Sequence, residues 1–564
     1  MPGVSAIRAC GLLLVIALVA SVGSPAQSQP SSQAQGKPSL IFSTTLGGLN
    51  CNCENPRTFA QNTGSDAEGN TYVTGATRVT DLPVLHAFQP EPAPGASMTA
   101  FVAKLDPFGK LLWLTYLGGD QQTMGEGLAV LPDGGVAVDG ITSSDDSGPF
   151  PTLNAFQDTN DGGDADYFVS VFDKHGNLRY STYFGGSGAE GSGFVDNNSN
   201  GNNLAADAHG LVYLVGTTES PDLPVTANAI QPGLEGDSDA IVVIFDPSKS
   251  GADSLIYSSF LGGHKGEKGH GAAVDPTGEL ITAVGYTDSD DFPTTDNAYR
   301  NGPPLNGWTS NGFVAQFTSS KPGDPTSEYK FRYSTYLGSA SDQAREDTYG
   351  VAVDQNGIIA VTGRTVSPDF PTTWLSVYHS APYLGLNKSN DQPYMVKIDP
   401  SQDNDASLIY GTYLGGGAPD SIAGGGGFGT AIGVDSHGNV SVAGEISSPG
   451  IEYVYGTTNF VAPFRFPYTW NALIPAFQGG GQDAIFMQIP PPGAWLGYST
   501  YLGGSGDDRA YGLAVDPDGN VVVTGVTSSA DFPLKNPAQV FPHVPGQQNA
   551  FITKFSFGGS ANQP

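Results

Sequence analysis

One short passage of sequence is repeated seven times along this chain. The clearest copy runs Tyr498-Ser-Thr-Tyr-Leu-Gly-Gly504, Tyr511-Gly-Leu-Ala-Val-Asp-Pro-Asp-Gly-Asn520, Val521-Val-Val-Thr-Gly-Val-Thr527, Asp531-Phe-Pro533 and Ala550-Phe-Ile-Thr-Lys554. Its Gly-Gly step recurs at Gly47, Gly118, Gly185, Gly262, Gly338 (followed by Ser339), Gly415 and Gly503. The intervals run from 67 residues (Gly118 to Gly185) to 88 (Gly415 to Gly503). A unit of this size cannot bury its apolar faces alone, so neighbouring copies must stack, and the architecture follows from the repeat.

Each unit carries four short strand patterns. Gly512–Asp516 is the first and Val521–Thr524 the second, joined by Pro-Asp-Gly-Asn, a tight-turn signal. Ala550–Lys554 is the third, and Leu178–Phe184 shows the fourth, reached through the turn Asp173-Lys-His-Gly-Asn177. First-strand patterns at Phe59, Gly127, Asn203, Gly271, Gly350, Thr430 and Gly512 number seven. The expected fold is an all-β, seven-bladed β-propeller with four-stranded antiparallel blades. The chain enters on a fourth-strand pattern, Leu40–Leu46, and leaves on a third-strand pattern, Phe551–Phe555. Pairing the two closes the ring and removes both free sheet edges. The first-to-second and third-to-fourth links are tight, while the other two classes are long, so one end of the disc should carry nearly all the irregular sequence. Loops on a rigid frame are where function concentrates.

The 77 Gly and 42 Pro sit at fixed places in the repeat, so they read as turns rather than disorder. Arg8, the apolar run Cys10–Val22 and Ser24-Pro25-Ala26 read as a signal peptide over 1–26, followed by a polar linker over 27–39 and a single propeller over 40–564. No later segment is apolar enough to span a membrane. Cleavage removes Arg8, which takes the formal net charge from -32 to -33. Such acidity argues against nucleic acid as a partner and makes divalent cations natural counterions. Cys51 and Cys53 then remain, as a local disulfide or two inert thiols, too few to staple the domain. No zipper or helical pattern argues for a fixed oligomer, and a monomer is expected.

Taken together, Tyr-Ser-Thr-Tyr-Leu-Gly-Gly, Gly-x-Ala-Val-Asp-x-x-Gly-Asn, Val-Thr-Gly-x-Thr, Asp-Phe-Pro and Ala-Phe-Val-x-Lys resemble the SBBP family, the seven-bladed β-propeller repeat of secreted bacterial proteins. The match runs over roughly 40–559. It departs in the sixth blade, where Glu445 to Pro475 holds an aromatic insertion, and in the first, which has Asn62-Thr-Gly-Ser-Asp66. The resemblance implies a propeller and export. It brings no catalytic residues with it.

Candidate chemistry lies in the long loops. The Asp-x-x-Gly turns at Asp275, Asp354, Asp435 and Asp516 resemble the opening of a calcium loop but lack its downstream Glu, and they read as Asp-capped turns. Asp342, Asp347, Asp507 and Asp508 lead a set of loop carboxylates expected on one face, with calcium the implied cofactor. Gly263-His-Lys-Gly-Glu-Lys-Gly-His-Gly271 replaces the usual linker and puts His264 and His270 near the mouth, as ligands, acid–base groups or plain loop residues. Trp308, Trp374 and Trp470 are candidates for stacking on sugars or packing in their loops. No nucleophile elbow, P-loop, dinucleotide fingerprint or HExxH pair occurs. The function expected is a secreted, non-catalytic scaffold that binds an extracellular polymer or protein through the acidic long-loop face. The alternative is a glycan-active lyase or hydrolase with its site at the channel mouth.

Overall fold

The computed structural model describes residues 38–51, 53, 55–145, 148–191, 202–303, 310–339, 345–367, 369–373, 391–415, 426–447, 466–493, 495–539 and 547–557, all within the compact unit Lys37–Pro564. Seven four-stranded antiparallel sheets succeed one another as blades one to seven: 58–117, 123–184, 204–261, 267–337, 346–413, 427–502, and 508–556 joined by 39–46. The first strand of each blade packs against the next blade in chain order, and the strand Asp508–Val515 closes the circle on Thr58–Ser65. These first strands therefore form the inner wall.

Closure is as the sequence predicts. Ser39–Leu46 pairs antiparallel with Asn549–Ser556, in register Leu40 with Phe555, Phe42 with Lys554 and Leu46 with Ala550. Phe42 and Leu46 are buried by it, and Ser43 Oγ meets Thr553 Oγ1 at 2.8 Å.

The repeated words now have physical meanings. In the Asp-x-x-Gly turn, Asp516 Oδ1 accepts the N–H groups of Asp518 (3.0 Å) and Asn520 (2.8 Å). Gly519 takes φ +77°, where a Cβ is unfavourable. The same Asp bonds recur at Asp66, Asp207, Asp354 and Asp435, so these carboxylates cap turns. The Asp-Phe-Pro word is a clasp. The aromatic ring stacks on the third strand, Phe292 on Phe313 at 4.7 Å and Phe532 on Phe551 at 4.8 Å. The same residue's N–H donates to the second Tyr of the fourth strand, Phe292 to Tyr336 at 2.9 Å and Phe370 to Tyr413 at 3.0 Å. The Asp accepts the N–H just beyond Gly-Gly, His264 to Asp291 at 3.0 Å and Ser505 to Asp531 at 2.7 Å.

One expectation needs adjustment. The second-to-third loops start and end at the loop-rich end, but several run down the outside of their blade. Leu153 bridges Ser181, Gln157 bridges Tyr183 and Ile474 bridges Tyr501. A fourth strand otherwise presents a row of unpaired N–H and C=O groups, and the descending loop satisfies part of it. Cys51 and Cys53 are joined as a disulfide. Among the described residues no helix is long and apolar enough to cross a membrane.

Candidate functional site

The acidic groups at the loop-rich end are built into the frame. Behind three of the Gly-Gly steps, an acid at the head of one blade's third strand faces an acid just past the step. Asp166 faces Glu190, Asp239 faces Glu267, and Asp483 faces Asp508; all six are buried. Gly503 is needed here because a Cβ on it would sit 2.7 Å from Asp508 Oδ2 and 2.8 Å from Asp483 Oδ1. Burial pushes Asp483 up to about 7, and the neighbouring charges of Asp508, Asp507 and Asp531 add to it. Burial likewise pushes Asp508 up to about 6, against hydrogen bonds from Ser529, Thr527 and Gly504.

Of the four metal candidates, Asp342 lies outside the described residues. Asp347 is buried and paired: Arg364 Nε donates to its Oδ2 at 2.6 Å. Asp507 accepts the Gly481 N–H at 2.6 Å, and Asp508 accepts the Gly504 N–H (2.8 Å) and Ser529 Oγ–H (2.6 Å). The sequence separates the two histidines by six positions, and the structure does not bring them together. His264 is exposed, with Nδ1 2.8 Å from Asp291 and 3.4 Å from Asp290. His270 is buried, its ring 5.1 Å from Tyr349 and its Nδ1 3.3 Å from the Thr348 carbonyl. Burial lowers it to about 4, so it is neutral at physiological pH.

His270 owes its position to a β-bulge between Gly269 and Gly271, and Tyr349 to one between Thr348 and Gly350. Such bulges re-aim a side chain out of the ladder. Around them lie groups that sequence reasoning missed. Arg364 joins Asp347 and Asp391 (3.6 Å) and stands over the Phe428 ring at 5.3 Å. Arg509 lies 3.6 Å from Glu445, which burial pushes up to about 7. Blades five to seven thus carry charged, mutually paired side chains, while Phe59, Met124, Ile141 and Val526 of blades one, two and seven belong to an apolar cluster. At the turn end a cavity of about 690 Å³ is lined by Asp66, Lys104, Asp133, Lys174 and Asp207; its deepest pair is Lys104 with Asp66 at 3.2 Å.

Trp308 and Trp374 lie outside the described residues. Trp470 is described and stands in water at 91% exposure, with Tyr468 at 46% and Trp495 at 47%. It sits on the outer edge of blade six, in the turn Thr469-Trp470-Asn471-Ala472 closed by Ala472 N–H to Thr469 O at 3.0 Å. Blades three and four build the same turn, at 3.0 Å each, from Thr226-Ala227-Asn228-Ala229 and Thr295-Asp296-Asn297-Ala298. The backbone accepts Ala or Asp where blade six places Trp. In blade five, Thr373 N–H bonds the Gly411 carbonyl as Thr469 N–H bonds that of Ser499, which gives Trp374 the same repeat position as Trp470. The aligned residue types were a signal available in the sequence.

Residues 497–533 match the SBBP beta-propeller repeat. No curated protein matches the chain. Among solved structures, U3-55K is similar at 7% identity over 92% of this chain and 99% of that one, with a TM-score of 0.41. The polysaccharide lyase Uly1 is similar at 8% identity over 92% and 98%, with a TM-score of 0.38. The PQQ-bound aldose sugar dehydrogenase of Streptomyces coelicolor shares 13% identity over 77% and 94%, with a TM-score of 0.29. Likeness at this level carries no argument about chemistry.

Proposed function

We propose that this chain, a propeller of the SBBP repeat family, is an exported, non-catalytic scaffold that binds an extracellular polymer along the outer edge of blade six. The observation that carries the reading is Trp470, a fully presented indole on a turn that blades three and four build without an aromatic. Flat apolar faces on a rigid frame stack against sugar rings and similar surfaces at little cost in conformational entropy. Tyr468 stands two residues away and widens the platform. The contact surface is therefore assigned to the rim, away from the acidic end. Support for a non-catalytic role comes from elsewhere in the ring. His264 and His270 stand apart, Arg364 is paired with Asp347, and Arg509 with Glu445.

The test is affinity electrophoresis against a set of acidic and neutral polysaccharides, run beside a reducing-end and unsaturated-product assay. Retardation by at least one polymer, weakened about tenfold or more in Trp470→Ala, is expected, with no product formed. Turnover that survives Trp470→Ala would replace the scaffold with the glycan-active enzyme.

A further inference from the structure

The three acid pairs behind the Gly-Gly steps are chemically different, although the repeat places them alike. Asp166 and Glu190 are hydrogen-bonded to each other, so one proton is shared between them. Asp239 and Glu267 meet donors throughout: Gly236 N–H (3.2 Å), Gln231 Nε2 (2.7 Å) and Glu235 N–H (3.1 Å) on the first, Thr287 Oγ1 (2.6 Å) and Gly263 N–H (2.9 Å) on the second. The third pair has fewer donors. Asp483 Oδ2 accepts the Gln478 N–H at 2.7 Å; Asp508 Oδ2 accepts from Gly504 and Ser529, and the Thr527 hydroxyl is a further donor to the Asp508 carboxyl. The Oδ1 atoms of both are buried and accept no hydrogen bond from a protein donor; Asp166 Oδ1 shares that condition, but its carboxyl is bonded to Glu190.

The charges of Asp507 and Asp531 also act on Asp483. Arg509, next to Asp508 in the chain, is engaged with Glu445. Two acids removed from water with no positive partner cost several kcal/mol. Asp166 and Glu190 meet that cost with a proton in a direct bond; Asp483 and Asp508 make no such bond. We propose that Asp483 and Asp508 bind a divalent cation of the calcium class between their carboxylates, which face each other behind Gly503 at the junction of blades six and seven. Hard oxygen donors from carboxylates are what calcium takes, and its coordination tolerates an irregular shell. Gly479, Gly480 and Gly506 crowd together here, with Gly506's carbonyl against Gly480, so backbone oxygens are close without side chains to screen them. Asp507 and Asp508 are two of the four residues whose sequence pattern suggested calcium. Asp483 lies in the preceding blade and was not among them.

The experiment uses the full chain, stripped with chelator and titrated with terbium(III) followed by luminescence, then back-titrated with calcium. Melting curves are recorded in parallel with calcium or magnesium. The expected result is one saturable terbium site displaced by calcium, a melting point raised by calcium and much less by magnesium, and both effects weakened about tenfold or more in Asp483→Asn and in Asp508→Asn. Asp166→Asn should keep the full response. If either variant fails to fold, the other and the wild-type titration still decide. Three results overturn the proposal: no terbium binding to the wild type, a calcium response that survives in the folded variants, or Asp508→Asn raising the melting point of a wild type that is indifferent to calcium. The last identifies a second shared proton.

Discussion

The tight turns at one end of the propeller and the blade junctions at the other hold the same acids in opposite states. At the turn end, burial pulls Asp66 upward, but bonds from the Asn70 side chain and backbone and from Lys104 outweigh it and hold the carboxyl below its usual range. Asp173 is held low in the same way by Asn177 and His175. At the blade junctions of the loop end, burial wins: Glu346 is pushed up to about 7 despite hydroxyl donors on Ser367 and Thr365. The difference lies in the donors. A tight turn points several N–H groups at one oxygen, which favours the anion, whereas a blade junction offers a few hydroxyls and another acid or amide. An acidic sequence therefore says nothing by itself about pH dependence; place in the repeat decides it.

The comparison is broken most directly by removing one carboxylate at each end. Asp516 at the turn end is buried against Lys554, Nζ to Oδ2 2.8 Å, and Lys554 also donates to the Gly69 carbonyl. Asp516→Ala leaves a buried ammonium without its partner and should cost about 3–5 kcal/mol in urea denaturation. Asp531→Ala at the loop end loses clasp bonds from the exposed Ser505 and should cost about 1 kcal/mol. Equal losses would mean that the ends are mechanically alike.

A pH series sharpens it. Glu346 has its folded value raised from 4.5 to about 7. Its contribution is complete below the unfolded value and disappears as pH rises through about 7. Glu346→Gln should therefore be more stable than wild type at pH 8.5 by on the order of 2 kcal/mol, with no advantage at pH 4.5. Asp173 runs the other way. Its contribution is present above the ordinary carboxylate range and is lost on acidification, so Asp173→Asn should flatten the acid limb alone.

The turn end was legible because its signals are local. Asp516 and Gly519 stand three apart and build their turn unaided, and the phase of the two chain ends announced ring closure. The loop end was legible only in part. Gly503 marked the place, but its partner acids Asp483 and Asp508 come from different blades, and their burial is a property of the assembled ring. The bulges that aim His270 and Tyr349, and the pairing of Arg364 with Asp347, depend on strand register that no spacing reveals. The descent of the long loops was missed because pairing to an outer strand needs no motif. It moved Trp470 from the expected long-loop face to the rim.

A smaller effect tests the turn itself. Gly519→Ala puts a Cβ at φ +77° and should cost about 1 kcal/mol by chemical denaturation. A neutral result would show that the turn relaxes, and would weaken the claim that its rigidity aims N–H groups at Asp516.

The smallest stability effect is expected on the rim, which belongs to neither end. Trp470→Ala removes an indole that is 91% exposed from a turn that sibling blades close with Ala227 and Asp296 in its place. Its folding free energy should stay within about 0.5 kcal/mol of wild type, and the pH profile set by the two ends should not move. A measurable loss of stability would mean that the indole packs on the blade, in which case its exposure could not be ascribed to binding. Unchanged folding together with weakened retention on polymer separates the rim from the frame: the ends hold the ring, and the aromatic edge is what the ring presents.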